Sequence, residues 1–463
     1  MTSTFLADTE SVCPVCLRRL PAQRVAKGDD VYLVKRCTEH GTFQTIVWRG
    51  LEFYQRWGTR GSSAATPPVT ETAVDRGCPY DCGLCPEHRQ HTCCVLLEVT
   101  QSCNLRCPVC FASASHVGSD PTVAEIESWL RQLQRHGSPV NIQLSGGEPT
   151  VRDDLPEIIN LCHKMGFDFV QVNTNGLRLA KESDYAQRLV DAGLDCVFLQ
   201  FDGVSDAVYQ TIRGARLLTI KKTAILRCAD AGLGVVLVPT LVPGVNVGEI
   251  GAIVEFAVAR APVIRAVHFQ PVSYFGRYPS APADRDRITL SEVMRELEAQ
   301  SGGTIRAADF APGSAENAYC SFSGKFFVGG DGRLSAATET SDGCCGPSSG
   351  CGCGVPANDD HAQRARRVVA GQWAAEARPA SIPDAPGIKV ESFDAFLAKR
   401  RHSFSISGMA FQDAWNLDLE RLRECFIHVV APDRRIVPFC AYNLTSVTGE
   451  SLYRLANDEC ALA

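Results

Sequence analysis

Residues 99–111 read Val-Thr-Gln-Ser-Cys-Asn-Leu-Arg-Cys-Pro-Val-Cys-Phe, which places Cys103, Cys107 and Cys110 at C-x₃-C-x₂-C spacing. The apolar run directly before them, residues 95–99, is typical of a buried strand. Three thiolates on one short loop can ligate three irons of a [4Fe–4S] cluster and leave the fourth iron without a protein ligand. A substrate can bind at such an open position, so the stretch predicts a catalytic iron–sulfur site.

The composition is that of a large globular protein. The 463 residues are 45% hydrophobic and 21% charged, with room for roughly two to four domains. The net charge of −6 gives no electrostatic case for nucleic acid as a partner. The N-terminus lacks the features of a signal peptide, and no apolar run approaches the length of a membrane span. With 22 cysteines in such a chain, we expect a cytoplasmic protein whose thiols bind metal.

The first 70 residues predict a small metal-binding ribbon. Cys13 and Cys16 form a C-x₂-C pair, and Cys37 and His40 form a C-x₂-H pair. These four ligands suit tetrahedral Zn²⁺ or a mononuclear iron. A closed four-ligand site is usually structural, so a metal-stapled mini-domain is the favoured interpretation and an electron-transfer iron site the alternative.

A second cysteine group lies in residues 71–94. Cys78, Cys82 and Cys85 repeat the C-x₃-C-x₂-C spacing, and Cys93 and Cys94 follow. A nearby fourth thiol can close a cluster, which would make this group an auxiliary cluster rather than a catalytic one. A structural zinc knuckle is the alternative, and the spacing does not decide between Cys93 and Cys94.

From about residue 95 to residue 300, apolar runs alternate with amphipathic stretches. This rhythm predicts a parallel sheet with helices outside, open or curled into a partial barrel. The predicted strands are 94–100, 140–144, 167–173, 196–201, 235–241 and 266–270. The predicted helices are 123–136, 155–164, 183–191, 217–230 and 247–258. Active residues should then follow the carboxyl ends of the strands.

Candidate binding residues follow each of these strands. Residues 145–149 read Ser-Gly-Gly-Glu-Pro, where glycine allows backbone to approach a ligand and Glu148 could accept an ammonium group. Asp202 is placed to accept a hydrogen bond from a ribose or substrate hydroxyl. Gly-Gly and Asn-Gly are also ordinary turn signals, so each motif alone is weak. The candidate ligand contacts are Gly146, Gly147, Glu148, Pro149, Asn175, Asp202, Thr240 and Gln270.

Beyond residue 300 the rhythm stops, and we expect an α+β domain that binds a further cluster. Cys320 precedes a predicted hairpin at residues 325–334, and Cys425 and Cys440 flank a strand–turn–strand. The three thiols could ligate a cluster together, with buried non-ligating thiols as the alternative. Residues 343–354 carry four cysteines among Gly and Ser, and a mobile loop without catalytic function is the favoured interpretation. Metal binding by these four cysteines is the alternative.

Taken together, these motifs resemble the radical S-adenosylmethionine superfamily. The matching residues are Cys103, Cys107 and Cys110 after the first strand and Gly146-Gly147-Glu148-Pro149 after the second. The resemblance implies an α/β fold with a partial (βα)₆ barrel. It also implies that S-adenosylmethionine binds the open iron and is cleaved to a 5′-deoxyadenosyl radical. Residues 146–149 would hold the methionine ammonium, and Asp202 would lie near the ribose. Val109 stands where the family often has an aromatic residue.

The whole set of motifs resembles a narrower family of archaeal pterin-methylating enzymes and tetraether-lipid synthases. It adds to the barrel the N-terminal ribbon, the cysteine run at 77–86 and the tail motifs at 408–416 and 438–443. The resemblance implies one or two auxiliary [4Fe–4S] clusters. Their ligands would be Cys78, Cys82, Cys85 and Cys93 for one and Cys320, Cys425 and Cys440 for part of another.

The leading hypothesis is therefore a radical enzyme that methylates a substrate or joins unactivated carbons. Its substrate would be pterin-like or lipid, and its reductant a ferredoxin or flavodoxin. A lipid substrate would place the protein at the membrane periphery. A radical peptide maturase and a non-catalytic iron–sulfur electron-transfer protein are the alternatives.

Overall fold

A four-stranded antiparallel ribbon begins the chain, and its strands pair in sequence order. They are β1 Ser3–Val12, β2 Arg19–Lys27, β3 Asp30–Cys37 and β4 Gly41–Arg49, followed by helix α1 Leu51–Gly58. The computed structural model describes residues 3–59, 65–67, 69–114, 120–137, 140–337, 361–375 and 402–454. The sequence predicted only the last two strands. Pro21 weakens the pattern of β2; it lies opposite Glu10 of β1, and the pairing of β2 with β3 begins at Ala22.

The six predicted barrel strands are present and mutually parallel. They are β5 Cys94–Thr100, β6 Asn141–Gly146, β7 Val170–Thr174, β8 Cys196–Gln200, β9 Gly234–Val238 and β11 Ile264–Pro271. The short strand β10, Thr240–Leu241, pairs with the end of β11. The predicted α/β fold class with a partial barrel is therefore confirmed.

Helices connect these strands. They are α2 Val123–Arg135, α3 Leu155–Lys164, α4 Leu177–Lys181, α5 Tyr185–Asp191, α6 Asp206–Arg213, α7 Leu218–Ala231 and α8 Ile250–Val258. Helix α2 illustrates how the local sequence forms these helices. A capping box of Thr122 and Glu125 begins the helix, and its buried residues run from Ile126 to Leu133. Helices α4 and α6, and the later helix Leu290–Gln300, were not predicted from the sequence.

The C-terminal third does not form a separate sheet. Its elements are α9 Leu290–Gln300, β12 Ser321–Val328, β13 Leu334–Ala336, α10 His361–Trp373, β14 His402–Met409, α11 Leu419–Arg423, β15 Ile427–Val430, β16 Ile436–Pro438 and α12 Phe439–Tyr442. Strand β14 pairs in parallel with β11, and β15 pairs in parallel with β5. The tail thus extends both edges of the barrel sheet, whereas its two hairpins, β12–β13 and β15–β16, form as predicted. The predicted loop at 343–354 lies outside the described residues.

Side chains alternate across the barrel strands and so separate core from cavity. In β6, Ile142 and Leu144 belong to the main hydrophobic core, whereas Asn141, Gln143 and Ser145 face the interior cavity. The same alternation in its neighbours puts polar side chains inside the barrel.

Candidate active site

A cavity of about 460 Å³ lies inside the curved sheet, with side chains from every one of the six parallel strands in its wall. A volume of this order is typical of small-molecule sites. The predicted residues that line it are Cys103, Cys107, Cys110, Gly146, Gly147, Glu148, Asn175, Thr240 and Gln270. Pro149 and Asp202 are buried but are not among the lining residues.

The cysteine loop is held by a residue that the sequence did not indicate. Backbone hydrogen bonds join Cys110 N to Arg277 O at 2.9 Å and Arg277 N to Cys110 O at 3.0 Å. The Arg277 guanidinium also donates to the carbonyls of Cys107 and Ala114, each at 3.1 Å. No short-range pattern links a residue after β11 to the loop after β5, so only the fold shows this clamp.

The three thiols fit an iron–sulfur cluster. Burial raises the pKa of Cys103 to about 12 and also raises the pKa of Cys107, which the neighbouring Arg213 partly opposes. Without a metal the thiols of Cys103 and Cys107 are protonated at neutral pH, so cluster binding must release protons. Three soft sulfur donors on one wall of a largely buried cavity are the donor set that a [4Fe–4S] cluster takes.

Gly146, the last residue of β6, and Gly147 pack on the start of the cysteine loop. Gly147 N donates to Thr100 O at 2.8 Å, and Glu148 N donates to Ser102 O at 2.9 Å. A Cβ on Gly146 would collide with the Thr100 carbonyl, and one on Gly147 with the Ser102 carbonyl. Gly146 also has φ of +121°, which L side chains rarely adopt. The glycines therefore position the backbone that leads into Cys103.

Replacing Gly147 with alanine should accordingly disturb the cluster loop. We expect Gly147→Ala to lower the iron content after reconstitution at least about threefold, because its methyl group must displace Ser102, adjacent to Cys103. Iron and acid-labile sulfide analysis measures the effect. The matched control is Gly248→Ala, since a Cβ there meets open space. Unchanged iron binding by Gly147→Ala would contradict the packing role.

Glu148 joins the ends of two strands. Its Oε1 accepts hydrogen bonds from Thr150 N at 3.2 Å, Thr150 Oγ1 at 2.5 Å and Thr174 Oγ1 at 2.6 Å. Its Oε2 accepts one from Asn175 N at 2.7 Å. Burial raises the pKa of Glu148, and these donors oppose that rise. A carboxylate oxygen has two lone pairs, so Oε2 can still accept from an ammonium group at the cavity wall.

Asn175 links this carboxylate to the cysteine loop. Besides its backbone contact with Glu148, its side-chain Nδ2 donates to Asn104 Oδ1 at 2.7 Å. Asn104 directly follows Cys103 in sequence. The strand ends that carry the predicted ligand contacts are thus joined into one hydrogen-bonded rim.

Asp202 does not take the position expected from sequence. It is fully buried, and both of its oxygens accept hydrogen bonds from the Arg213 guanidinium at 2.7 Å. Oδ1 also accepts from Thr240 N at 3.1 Å. Because Asp202 is fully buried and does not line the cavity, a direct contact with a ribose would require neighbouring side chains to move. Arg213 itself lines the cavity and donates to Thr240 Oγ1 at 3.0 Å.

Arg213 and Lys221 are functional candidates that sequence reasoning missed. Lys221 is fully buried, donates to Asn175 O at 2.5 Å and Gln200 Oε1 at 3.3 Å, and has its pKa lowered by burial to about 8. Both lie on helices, where a cationic residue normally indicates the solvent face. The one signal in the sequence is an acidic residue that follows an apolar strand, because a carboxylate buried there needs a cation nearby.

The ribbon brings its four predicted ligands together. The ligand atoms of Cys13, Cys16, Cys37 and His40 all lie within 4.8 Å of one another, the one such group found among the described residues. His40 Nδ1 is 3.6 Å from Cys13 Sγ and 3.4 Å from Cys37 Sγ. The backbone N–H of Glu39 and the neighbouring His40 lower the pKa of Cys37 to about 6, which favours the thiolate that a metal needs.

Comparison with known proteins agrees with this geometry. A model of the radical SAM superfamily matches residues 97–257, and a model of the HMPTM N-terminal zinc ribbon domain matches residues 5–49. The chain is 36% identical to the 7,8-dihydro-6-hydroxymethylpterin dimethyltransferase of Methanocaldococcus jannaschii, over 94% of this chain and 93% of that protein. The chain belongs to the radical S-adenosylmethionine superfamily and to the family of that dimethyltransferase.

More distant relatives cover less of this radical S-adenosylmethionine enzyme. A probable GTP 3′,8-cyclase of Methanococcus aeolicus is 32% identical over 38% of this chain and 59% of its own length. Among solved structures, Streptococcus suis SuiB bound to its precursor peptide SuiA matches with a TM-score of 0.38 and 17% identity, over 46% of each chain.

The C-terminal cysteines of this radical S-adenosylmethionine enzyme also lie near one another. Burial raises the pKa values of Cys320, Cys425 and Cys440. Cys320 and Cys440 add to the rise at Cys425, and Cys320 adds to the rise at Cys440. Arg421 donates to Cys320 Sγ at 3.4 Å, and Gln412 N donates to Cys440 Sγ at 3.2 Å. The fold therefore joins β12, β15 and α12 at one potential cluster site.

The second cysteine group is only partly assembled as predicted. Cys78, Cys82 and Cys85 line one small pocket, which they share with His88. Cys93 lines the main cavity instead, and its N–H donates to Phe426 O at 2.9 Å, next to Cys425. A fourth ligand for the group at 78–85 stays a prediction.

None of the described helices combines the length and hydropathy that crossing a bilayer requires.

Proposed function

We propose that this protein is a radical S-adenosylmethionine C-methyltransferase whose substrate is a reduced pterin. The observation that carries the proposal is the identity of 36% to a pterin dimethyltransferase over nearly the full length of both chains. The matched region covers 94% of this chain and so takes in most of the ribbon, the barrel and the tail.

One part of the cavity wall is polar and suits a heterocycle. Gln171 Nε2 donates to Gln143 Oε1 at 2.8 Å, and Gln143 Nε2 donates to Asn173 Oδ1 at 2.6 Å, so a row of amides faces the interior. These amides bond to one another and still keep donor and acceptor positions that a lipid chain could not use. A pterin offers both N–H donors and acceptors.

Aromatic side chains complete a site for a flat ring. Phe198 and Trp373 both line the cavity, with ring centroids 5.2 Å apart. Such rings pack well against the face of a heteroaromatic bicycle. Helix α10, which carries Trp373, also contributes Arg364 to the lining.

The cofactor residues have distinct tasks in this proposal. Cys103, Cys107 and Cys110 would hold the [4Fe–4S] cluster, and Glu148 would accept from the methionine ammonium. When bound, the cluster and S-adenosylmethionine would supply the 5′-deoxyadenosyl radical chemistry that activates a substrate carbon. A second S-adenosylmethionine would supply the methyl group and leave as S-adenosylhomocysteine, with the electron supplied by the reductant. The cysteines at 320, 425 and 440, and those at 78–85, would hold auxiliary clusters, and a ferredoxin or flavodoxin would supply electrons.

Four phenylalanine side chains of the cavity wall would shield the reaction from water. Phe111, Phe275, Phe411 and Phe439 line the cavity, and the Phe439 ring centroid lies 4.4 Å from that of Phe411 and 5.8 Å from that of Phe111. These rings lie beside the cysteine loop and exclude solvent from a reactive intermediate. Phe111 thereby supplies apolar packing in the loop where Val109 departs from the family pattern.

The proposal is tested by anaerobic incubation of reconstituted protein with S-adenosylmethionine, a strong reductant and 7,8-dihydro-6-hydroxymethylpterin. We expect 5′-deoxyadenosine to form and the pterin to gain the mass of one or more methyl groups, as read by mass spectrometry. A parallel incubation replaces the pterin with an isoprenoid lipid. Formation of 5′-deoxyadenosine with an unchanged pterin would contradict the proposed substrate.

A further inference from the structure

The cavity contains a carboxylate to which neither the sequence motifs nor the cofactor assigns a role. Of the described residues that line the cavity, two carry carboxylates, Glu148 and Glu316. Glu148 already accepts four hydrogen bonds at the strand ends. Glu316 lies between α9 and β12, on the tail side of the cavity, and is only 5% exposed.

Glu316 is held in a defined orientation. Gly313 N donates to Ser321 Oγ at 3.3 Å, and the Ser321 hydroxyl donates to Glu316 Oε1. Because the serine oxygen accepts from Gly313, its proton is directed at the carboxylate. A Cβ on Gly313 would collide with Glu316, so this loop is shaped around the side chain. All three residues line the cavity.

The carboxylate lacks a charged partner among the described residues. Burial raises the pKa of Glu316, and only Ser321 and the backbone N–H groups of Ala315 and Glu316 oppose the rise. Holding an acid in a largely enclosed cavity without a cation is costly unless a ligand supplies the missing donors. If the position served only to pack the cavity wall, an apolar side chain would cost less free energy than a buried carboxylate.

We propose that Glu316 is the residue that recognises the pterin, by accepting hydrogen bonds from its 2-amino group and its N3–H. These two donors are adjacent and point the same way, so they match the two oxygens of one carboxylate in the fork geometry that guanidinium groups also use. This inference rests on the proposed function and names its specificity-determining residue. An alkyl chain offers no such donors, so a buried carboxylate discriminates against lipids.

The test is an anaerobic calorimetric titration of the reconstituted enzyme with 7,8-dihydro-6-hydroxymethylpterin and with an analogue that lacks the 2-amino group. Wild-type enzyme should bind the parent pterin about 10- to 100-fold more tightly than the analogue, the scale of a hydrogen bond to a charged group. Glu316→Gln should bind the parent pterin about 10- to 100-fold more weakly and lose most of the discrimination, because an amide presents one donor where an acceptor is needed.

Two further variants complete the design. Ser321→Ala keeps the carboxylate but not its orienting hydroxyl, so its loss of pterin affinity should be smaller. Glu255→Gln, an exposed residue of α8, should bind the pterin like the wild type. Iron content and pterin-independent cleavage of S-adenosylmethionine report whether each variant is folded.

The outcomes separate the two proposals. Equal pterin affinity of Glu316→Gln and wild type overturns the assignment of Glu316 while the proposed substrate stands. Failure of the wild type to bind the pterin overturns the substrate and the assignment together. Should Glu316→Gln lose its iron, equal affinity of the wild type for the pterin and its 2-desamino analogue overturns the assignment without that variant.

Discussion

Cys103→Ala is expected to abolish the reductive cleavage of S-adenosylmethionine. With two thiols left on the loop, the cluster loses one of its three protein ligands and the open iron its fixed position. We expect 5′-deoxyadenosine formation to fall by at least about 10³-fold, the scale on which loss of an essential group is measured. Liquid chromatography of the quenched anaerobic reaction measures it.

The control for this variant is another buried thiol. Cys228 is fully buried on α7 within the main core and does not line the cavity. Cys228→Ala should therefore keep both cluster and activity. Cleavage by Cys103→Ala at the wild-type rate would refute the assignment of residues 103–110 as the radical site.

The second large effect is expected at Asp202. Asp202→Asn removes the charge that compensates Arg213, whose side chain is only 7% exposed. Breaking one partner of a buried ion pair typically costs about 3–5 kcal/mol of unfolding free energy. We expect a lower urea midpoint for reconstituted protein, together with weaker cluster binding, since Arg213 also neighbours Cys107.

This experiment distinguishes the ion pair from the ribose contact that the sequence predicted. A ribose contact alone would raise the KM for S-adenosylmethionine and leave the urea midpoint unchanged. The control is Glu127→Gln, which removes an exposed pair with Arg131 on α2 and should cost less than about 1 kcal/mol. An unchanged midpoint for Asp202→Asn would show that the pair is not structural.

The barrel strands could be predicted because each is buried on its outer face and bounded by turn residues. All six lie within a few residues of their predicted ranges, and the loops after them carry the expected motifs. The tail could not be predicted in the same way. Strand β14 reads His-Ser-Phe-Ser-Ile-Ser-Gly-Met, and nothing in that pattern states which edge it joins. Edge pairing depends on contacts distant in sequence.

The cysteine loop, the Gly-Gly-Glu-Pro turn and the four ribbon ligands were determined by the sequence alone, because their chemistry depends on spacing within a few residues. The partners of those residues were decided only by the tertiary structure. Arg277 clamps the loop from 170 residues away, Arg213 takes the carboxylate of Asp202, and Glu316 reaches the cavity from the tail. Burial and charge compensation depend on residues that are close in space but distant in sequence, so they cannot be predicted from short sequence patterns.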